Sequence, residues 1–193
     1  YMNLGNGLFT DETASAGLAA STWFYLGWAT RIGDFDNDGN NDIFVVNGHI
    51  YPEVDAATLR TSYAQRNQVL WNDGDSKFVE REVLPEDGLS KIGSSRGAAF
   101  GDIDNDGDLD LYFSTVYAGD NARLWRNNGN WHFTDVTGSE GLAGMPETYQ
   151  SAWADFNNDG FLDLATGGSI YRNLGNGNHW LKVRLEGNGT TIN

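Results

Sequence analysis

The fold is decided by the stretch Gly101-Asp-Ile-Asp-Asn-Asp-Gly-Asp-Leu-Asp-Leu-Tyr112. The same pattern occurs twice more without gaps, at residues 33–44 and 154–165, so that the first aspartates of the three copies are 68 and 53 residues apart. A second motif, an aromatic residue before an Asn/Gly-rich turn, begins at Tyr1, Trp71, Trp125 and Tyr171. Recurrence at such spacings indicates a repeat architecture.

Each repeat is predicted to form four short strands. In the second copy, residues 96–101 lead into the acidic segment, residues 109–115 leave it, and residues 123–126 and 132–136 flank the turn 127–130. Short aromatic and β-branched runs separated by Gly and Asn predict antiparallel hairpins, and four of them make one blade of a β-propeller. We therefore predict an all-β fold with about three four-stranded blades plus a partial blade, the hairpin from Tyr1 to about Thr10.

This arrangement is expected to be part of a larger propeller. Closed propellers typically have at least four blades, and open sheet edges are prone to aggregate unless they are covered. Residues 1–193 are therefore expected to form an arc that contacts further polypeptide of the same protein or assembly, with Trp180–Leu185 closing the third blade.

The acidic loops, residues 34–42, 102–110 and 155–163, follow the pattern Asp-x-[Asp/Asn]-x-Asp-Gly-x-x-Asp. Positions 1, 3, 5 and 9 offer side-chain oxygens, position 6 is a glycine that permits a sharp turn, and position 7 offers a main-chain carbonyl. Such an all-oxygen cage suits Ca²⁺ better than Mg²⁺. The predicted ligands are Asp34, Asp36, Asp38, Asn40 and Asp42; Asp102, Asp104, Asp106, Asp108 and Asp110; and Asp155, Asn157, Asp159, Phe161 and Asp163.

The acidic loops also allow two alternatives to calcium sites. An EF-hand requires Glu at position 12, where this chain has Val45, Phe113 and Thr166. Asp/Asn turns that cap hairpins without a metal are the other alternative, but three equivalent loops of mutually repelling carboxylates favour a cation. We expect about three Ca²⁺ ions, with the third site weakest because Asn157 replaces a carboxylate.

Composition excludes several classes of function. Twelve Lys and Arg against 27 Asp and Glu give a net charge of −15, which disfavours nucleic acid and anionic membranes as partners. The chain has no cysteine and no apolar run long enough to span a bilayer. Nucleophile and phosphate-binding motifs are also absent from the sequence.

The acidic loops resemble the FG-GAP or VCBS repeats of integrin-α-like propellers. Residues 47–55, 63–66 and 95–110 further resemble the cartilage-acidic-protein-like, ASPIC/UnbV-containing family, and residues 178–187 resemble the opening of its ASPIC/UnbV segment. The resemblance implies a calcium-binding extracellular or periplasmic propeller, and residues 178–193 as the start of a truncated ASPIC/UnbV-like segment. It implies little about catalytic activity.

For residues of the insertion and for the tryptophans, a structural role has to be compared with a ligand-binding role. The insertion of about residues 48–66, predicted as a short helix or a lid-like loop, carries His49 and Tyr63, which either line a ligand site or hold the loop in place. Repetition of Trp71, Trp125 and Tyr171 favours packing between blades over sugar stacking. Trp23, Trp28 and Trp153 are expected to be partly in the core.

The leading functional prediction is a calcium-stabilised extracellular module for protein or glycan binding, adhesion or scaffolding. One alternative is an enzyme acting on polysaccharide, a hydrolase or lyase, for which no catalytic residue is assigned. Another is a structural subunit of an extracellular assembly. A convergent His/Tyr/Arg/carboxylate cluster in a pocket would favour the enzyme, whereas an exposed aromatic patch would favour binding.

Overall fold

The computed structural model describes residues 1–75, 77–83, 88–117 and 119–184. These residues form an all-β fold with a short helix, α1 (Leu18–Thr22), and two 3-10 turns, Pro52–Ala56 and Gly88–Ser90. In this described part of the chain, no helix has the length and apolar character needed to cross a membrane. The strands in chain order are β1 (Met2–Gly5), β2 (Leu8–Thr10), β3 (Gly27–Gly33), β4 (Asp42–Asn47), β5 (Gln65–Arg66), β6 (Gln68–Asn72), β7 (Phe78–Glu80), β8 (Ile92–Gly93), β9 (Ser95–Gly101), β10 (Asp110–Thr115), β11 (Arg123–Asn127), β12 (Phe133–Asp135), β13 (Ser151–Ala154), β14 (Asp163–Thr166) and β15 (Ser169–Tyr171).

The strands assemble into successive small antiparallel sheets. The first sheet has the order β3–β4–β6–β7 and the second β9–β10–β11–β12, which are the four-stranded units predicted from the repeat. The third sheet is β13–β14–β15. Strands β1 and β2 form a separate hairpin, and β5 pairs with β8. Because each strand pairs with a near neighbour in sequence, the sheets are local units placed side by side.

Every acidic loop occupies the same strand junction. It connects the first two strands of its sheet, and the residues at its two ends pair across those strands: Gly33 with Asp42, Gly101 with Asp110 and Ala154 with Asp163. The insertion begins at Gly48, where β4 has returned to the opposite end of the first sheet. The acidic loops and the insertion therefore lie at opposite ends of the strands.

The core lies between neighbouring sheets. One apolar cluster joins the first two sheets and includes Phe35, Phe44 and the fully buried Trp125. A second cluster joins the second and third sheets through Tyr112 and Leu164, with Tyr171 packed against it. The interpretation of Trp125 and Tyr171 as packing residues is thus confirmed.

Strand register corrects the predicted equivalence of Trp71 with Trp125. The residue that pairs with Ile43 is Leu70, just as Trp125 pairs with Leu111 in the second sheet. Trp71 therefore lies one residue beyond the equivalent position, although it still packs against the first cluster. The error arose because aromatic identity was aligned instead of the hydrogen-bonded partner that fixes register.

Two other expectations differ from the structure. The third sheet has three strands within the described residues, and residues 180–184, expected to close it, are not in a strand; Leu185 lies outside the described residues. Trp23 is 77% exposed in the turn after α1, so its assignment to the core was wrong. Trp28 is 44% exposed and stacks on the guanidinium of Arg96, and Trp153 packs against the second cluster, so both are partly buried as expected.

Candidate metal centres at the acidic loops

The three acidic loops share one hydrogen-bonded conformation. In the second loop, the carboxylate of Asp102 accepts the main-chain N–H groups of Asp106 and Gly107 at 3.1 and 3.0 Å. Asp34 and Asp155 accept the N–H groups of the equivalent residues in their own loops at 2.9 to 3.1 Å. The glycines at position 6 have φ of 91°, 98° and 89°, a backbone conformation that residues other than Gly rarely adopt. The backbone therefore curls around the first aspartate.

Position 9 closes each loop from the other side. Asp110 is fully buried, and its two carboxylate oxygens accept the N–H groups of Ile103 and Asn127, both at 2.8 Å. Asp42 and Asp163 make the equivalent pairs of contacts. This aspartate therefore fastens the loop to the hairpin of its own sheet, a structural duty that exists beside its predicted role as a ligand.

A hairpin asparagine that the sequence analysis left without a role supports each loop. Asn127 and Asn173 occupy equivalent positions and donate from Nδ2 to two main-chain oxygens each: one in their own acidic loop and one in the loop of the preceding sheet. Asn72 makes the own-loop contact, to the oxygen of Asn41 at 3.0 Å. The signal in the sequence was the recurrence of Asn two residues after the residue that pairs with position 10.

Carboxylate oxygens converge in the first two loops. Among the described residues, groups of three carboxylates with oxygens within 4.8 Å of one another are Asp34, Asp36 and Asp42, and Asp102, Asp104 and Asp106. In both groups Oδ1 of the position-3 aspartate is buried and has no hydrogen-bond partner in the described part of the chain. Buried carboxylate oxygens are normally satisfied. The donor set and these unpartnered oxygens therefore fit a hard cation, which would supply the missing positive charge.

The electrostatics of the loops point the same way. Burial raises the pKa of Asp110 to about 7, despite the two N–H groups that favour its charged form. Burial, together with the charges of Asp106 and Asp102, also raises the pKa of Asp104. Burial likewise raises the pKa of Asp42. The fold thus buries these carboxylates where their ionised form is disfavoured. A bound cation would favour the ionised form again.

The third loop has the same backbone but different side-chain contacts. Asn157 donates from Nδ2 to Oδ2 of Asp159 at 2.7 Å, and Arg172 approaches the same oxygen at 3.4 Å. The N–H of Phe161 is the main cause that lowers the pKa of Asp159. Part of the acceptor capacity of this loop is therefore used within the protein.

Neighbouring loops touch one another through position 4. Asn37 has φ of 59° and donates from Nδ2 to Oδ1 of Asp108 in the second loop at 2.6 Å. Asn105, with φ of 58°, donates to the oxygen of Gly160 in the third loop at 3.1 Å. The acidic loops consequently form a connected row along one end of the sheets.

The insertion is fastened by Arg96 at the other end. This arginine is 3% exposed, and its guanidinium lies 4.4 Å from the ring centre of Trp28 and 4.7 Å from that of Tyr117. Its nitrogens donate to the main-chain oxygens of Gly48 and His49. The N–H of Tyr51 donates to Nδ1 of His49 at 3.1 Å. These contacts are those expected of residues that hold the insertion in place.

A cavity of about 510 Å³ lies between the second and third sheets. Its walls combine apolar side chains such as Trp153 and Leu142 with Arg126, Glu140 and the second-loop residue Asp104. Within the described residues, no histidine lines this cavity, but Tyr171 and Arg172 do. The cavity therefore brings together the Tyr, Arg and carboxylate groups of the cluster considered for an enzyme, without a histidine.

The geometry defines a class of protein: an all-β repeat protein with an acidic loop between the first two strands of each sheet. A family model described as the FG-GAP-like repeat matches residues 51–113 and 114–166. The chain belongs to the FG-GAP-like repeat family. The matched ranges end within the strands that follow the second and third acidic loops, so each contains one complete loop.

A curated relative agrees with the resemblance drawn from the sequence. The chain is 34% identical over 113 residues to cartilage acidic protein 1 of Mus musculus. The match covers 56% of this chain and 16% of that protein, so the chain corresponds to a small part of the relative's length. The likeness supports membership of the suspected family and says nothing about the activity of the whole relative.

Proposed function

We propose that this chain is a calcium-binding β-propeller module of an extracellular or periplasmic protein. One observation carries the proposal: the buried, unpartnered Oδ1 atoms of Asp36 and Asp104 occur at the same position of two loops with the same conformation. Three side-by-side antiparallel sheets with packed cores between them support the propeller, together with the FG-GAP-like family. The ions would number about three.

Calcium would act here as a structural ion. Each acidic loop joins the first two strands of its sheet and contacts a neighbouring loop, so an ion in one loop would stabilise two sheets at once. An ion that binds only the folded state stabilises it by about 2.7 kcal/mol at one hundred times its Kd. In a protein of this size, that free energy raises the melting temperature by about 5–10 °C.

The end opposite the loops would recognise a protein or glycan partner. Trp23, Phe24, Trp28 and Tyr51 are all exposed there. Hydrogen bonds from Thr61 to the oxygen of Phe24 and from Trp28 to that of Gly48 join the start of β3 to the insertion, so these aromatics share one supported region. Exposed aromatic side chains on a surface that hydrogen bonds hold in place favour a binding module. Adhesion or scaffolding would follow from this role.

Calorimetric titration with CaCl₂ tests the proposal. The wild-type chain should bind about three ions, and its melting temperature should fall when a chelator is added. Asp104→Asn should weaken one site, whereas Asp73→Asn removes the same charge from a hairpin outside the loops and should leave binding unchanged. Mg²⁺ at equal concentration serves as the second control. Absence of calcium binding by the wild type would overturn the proposal.

A further inference from the structure

Trp131 has a backbone conformation that a bulky residue rarely adopts. Its φ is 66°, and it follows Gly129 and Asn130 with φ of 78° and 49°. The hairpin between β1 and β2 makes the same turn with Gly5, Asn6 and Gly7 at φ of 84°, 52° and 78°. Glycine thus occupies the place of Trp131 in the equivalent turn. A strained residue that glycine could replace suggests a function for its side chain.

The side chain of Trp131 reaches the first acidic loop. It is 3% exposed, and its Nε1–H donates to Oδ2 of Asp36 at 2.8 Å. The ring packs 5.9 Å from that of Phe35, and the guanidinium of Arg81 lies 5.3 Å from its centre. The second sheet therefore contributes a buried, directed donor to a loop of the first sheet.

This hydrogen bond occupies one oxygen of Asp36 and leaves the other. Oδ1 is buried and has no partner within the ranges that the structure describes, and Asp36 belongs to the group formed with Asp34 and Asp42. We propose that Trp131 is a positioning residue for a divalent cation in the first loop, and that this cation and the hairpin of the second sheet stabilise each other's placement. The inference rests on the proposed calcium binding, and it assigns to Trp131 the positioning of Asp36 in the first site.

The effect should be specific to the first site. In the second loop, the segment after β15 contacts Asp104 differently, because Asn176 and Asn178 donate to its main-chain oxygen at 2.7 and 2.9 Å. Oδ1 of the Asp104 carboxylate receives no hydrogen bond from any described residue. Loss of the Trp131 indole N–H should consequently change one affinity and leave the others.

Two matched substitutions test the assignment. Trp131→Phe keeps an aromatic ring and removes the N–H. Trp125→Phe makes the same change in the same core cluster, but Nε1 of Trp125 has no partner among the described residues, so no hydrogen bond is lost. In calcium titrations, Trp131→Phe should weaken one site by about ten- to a hundredfold, the value of a hydrogen bond to a charged group. Trp125→Phe should leave every affinity within about twofold.

A measurement on the wild type does not depend on the folding of a variant. In spectra of protein with ¹⁵N-labelled tryptophan, the indole N–H signal of Trp131 should shift as calcium fills the first site. Hydrogen exchange at residues 129–132 should slow over the same range, because coupling between two sites is reciprocal.

The outcomes separate this inference from the proposed function. If the wild type binds no calcium, both fail. If it binds calcium but Trp131→Phe and Trp125→Phe change the affinities equally, Trp131 only packs and the inference fails. If neither variant folds, an indole signal of Trp131 that is unchanged by bound calcium overturns the inference, and a shift with slowed exchange supports it.

Discussion

Asn127 donates a hydrogen bond from Nδ2 to the main-chain oxygen of Phe35, 3.0 Å away and 92 positions earlier in the chain. The bond crosses from the hairpin of the second sheet to the acidic loop of the first. Asn173 repeats it one sheet further along, to the oxygen of Ile103 at 2.7 Å. Each described boundary between sheets is thus joined by a buried or half-buried amide as well as by apolar packing.

Removal of the amide of Asn127 should destabilise the fold. Asn127→Ala leaves the oxygens of Phe35 and Leu109 without this donor, and an unsatisfied buried group costs about 1–3 kcal/mol. Asn3→Ala is the matched control, because Asn3 has the same place in the exposed hairpin and caps only the N–H of Gly5. Urea unfolding of both variants measures the difference, and equal losses would contradict the prediction.

The third acidic loop should gain affinity from one added carboxylate. Asn157→Asp restores the acidic residue found at this position in the other two loops, and calcium affinity rises with the number of charged ligands. We expect the weakest site to strengthen by about tenfold in calorimetric titration. Asn158→Asp adds the same charge one residue away and serves as the control. A similar gain in both variants would show that net charge alone is responsible.

The stability of the calcium-free protein should decrease as pH rises. Burial raises the pKa of Asp110 from its ordinary value of 3.8 to about 7. Between these values the folded state holds a proton that the unfolded state has released, so folding is favoured at the lower pH. The contribution of this group is present below about pH 4 and is lost as pH passes through 7.

Denaturant unfolding in calcium-free buffer from pH 5 to pH 8 measures this dependence. Asp110→Asn, which cannot ionise, should flatten it. Calcium should bind more tightly at pH 8 than at pH 6, because a bound cation favours the ionised carboxylate and releases its proton. A variant with the wild-type pH dependence would exclude Asp110 as the cause.

Arg96 should be required for the shape of the insertion. Arg96→Lys keeps the charge but loses the planar group between Trp28 and Tyr117 and at least one bond to the oxygens of Gly48 and His49. We expect a loss of about 2 kcal/mol in stability and faster proteolysis within residues 48–66. Arg31→Lys on the exposed part of β3 is the control. Unchanged proteolysis would contradict the assigned anchoring role.

The fold could be predicted where its signal was local. Acidic loops, hairpin turns and strands each depend on a short run of residues, which the sequence shows directly. The predicted four-stranded units of the first two sheets were confirmed. Register was less accessible: Trp71 was placed with Trp125, although the equivalent of Trp125 is Leu70. Hydrogen bonds across a sheet fix this relationship, and they cannot be read from one strand alone.

Contacts between sheets could not be predicted from the sequence. The bonds from Asn127 to Phe35 and from Trp131 to Asp36 join residues more than ninety positions apart. Asn127 was predicted to lie in a turn and Trp131 had no predicted role, and the partners of both depend on which sheets lie side by side. The unpartnered oxygens of Asp36 and Asp104 are likewise visible only once burial is known.

The acidic loops and the insertion lie at opposite ends of the first sheet, because β3 enters the loop where β4 leaves it and the insertion starts after β4 has returned. Stability and recognition are therefore assigned to different ends of the same strands. The hydrogen bonds from Asn37 and Asn105 that join the row of loops involve no residue of the range 49–62. If the insertion recognises the partner, as proposed, substitutions in this one segment would change the partner without removing those bonds.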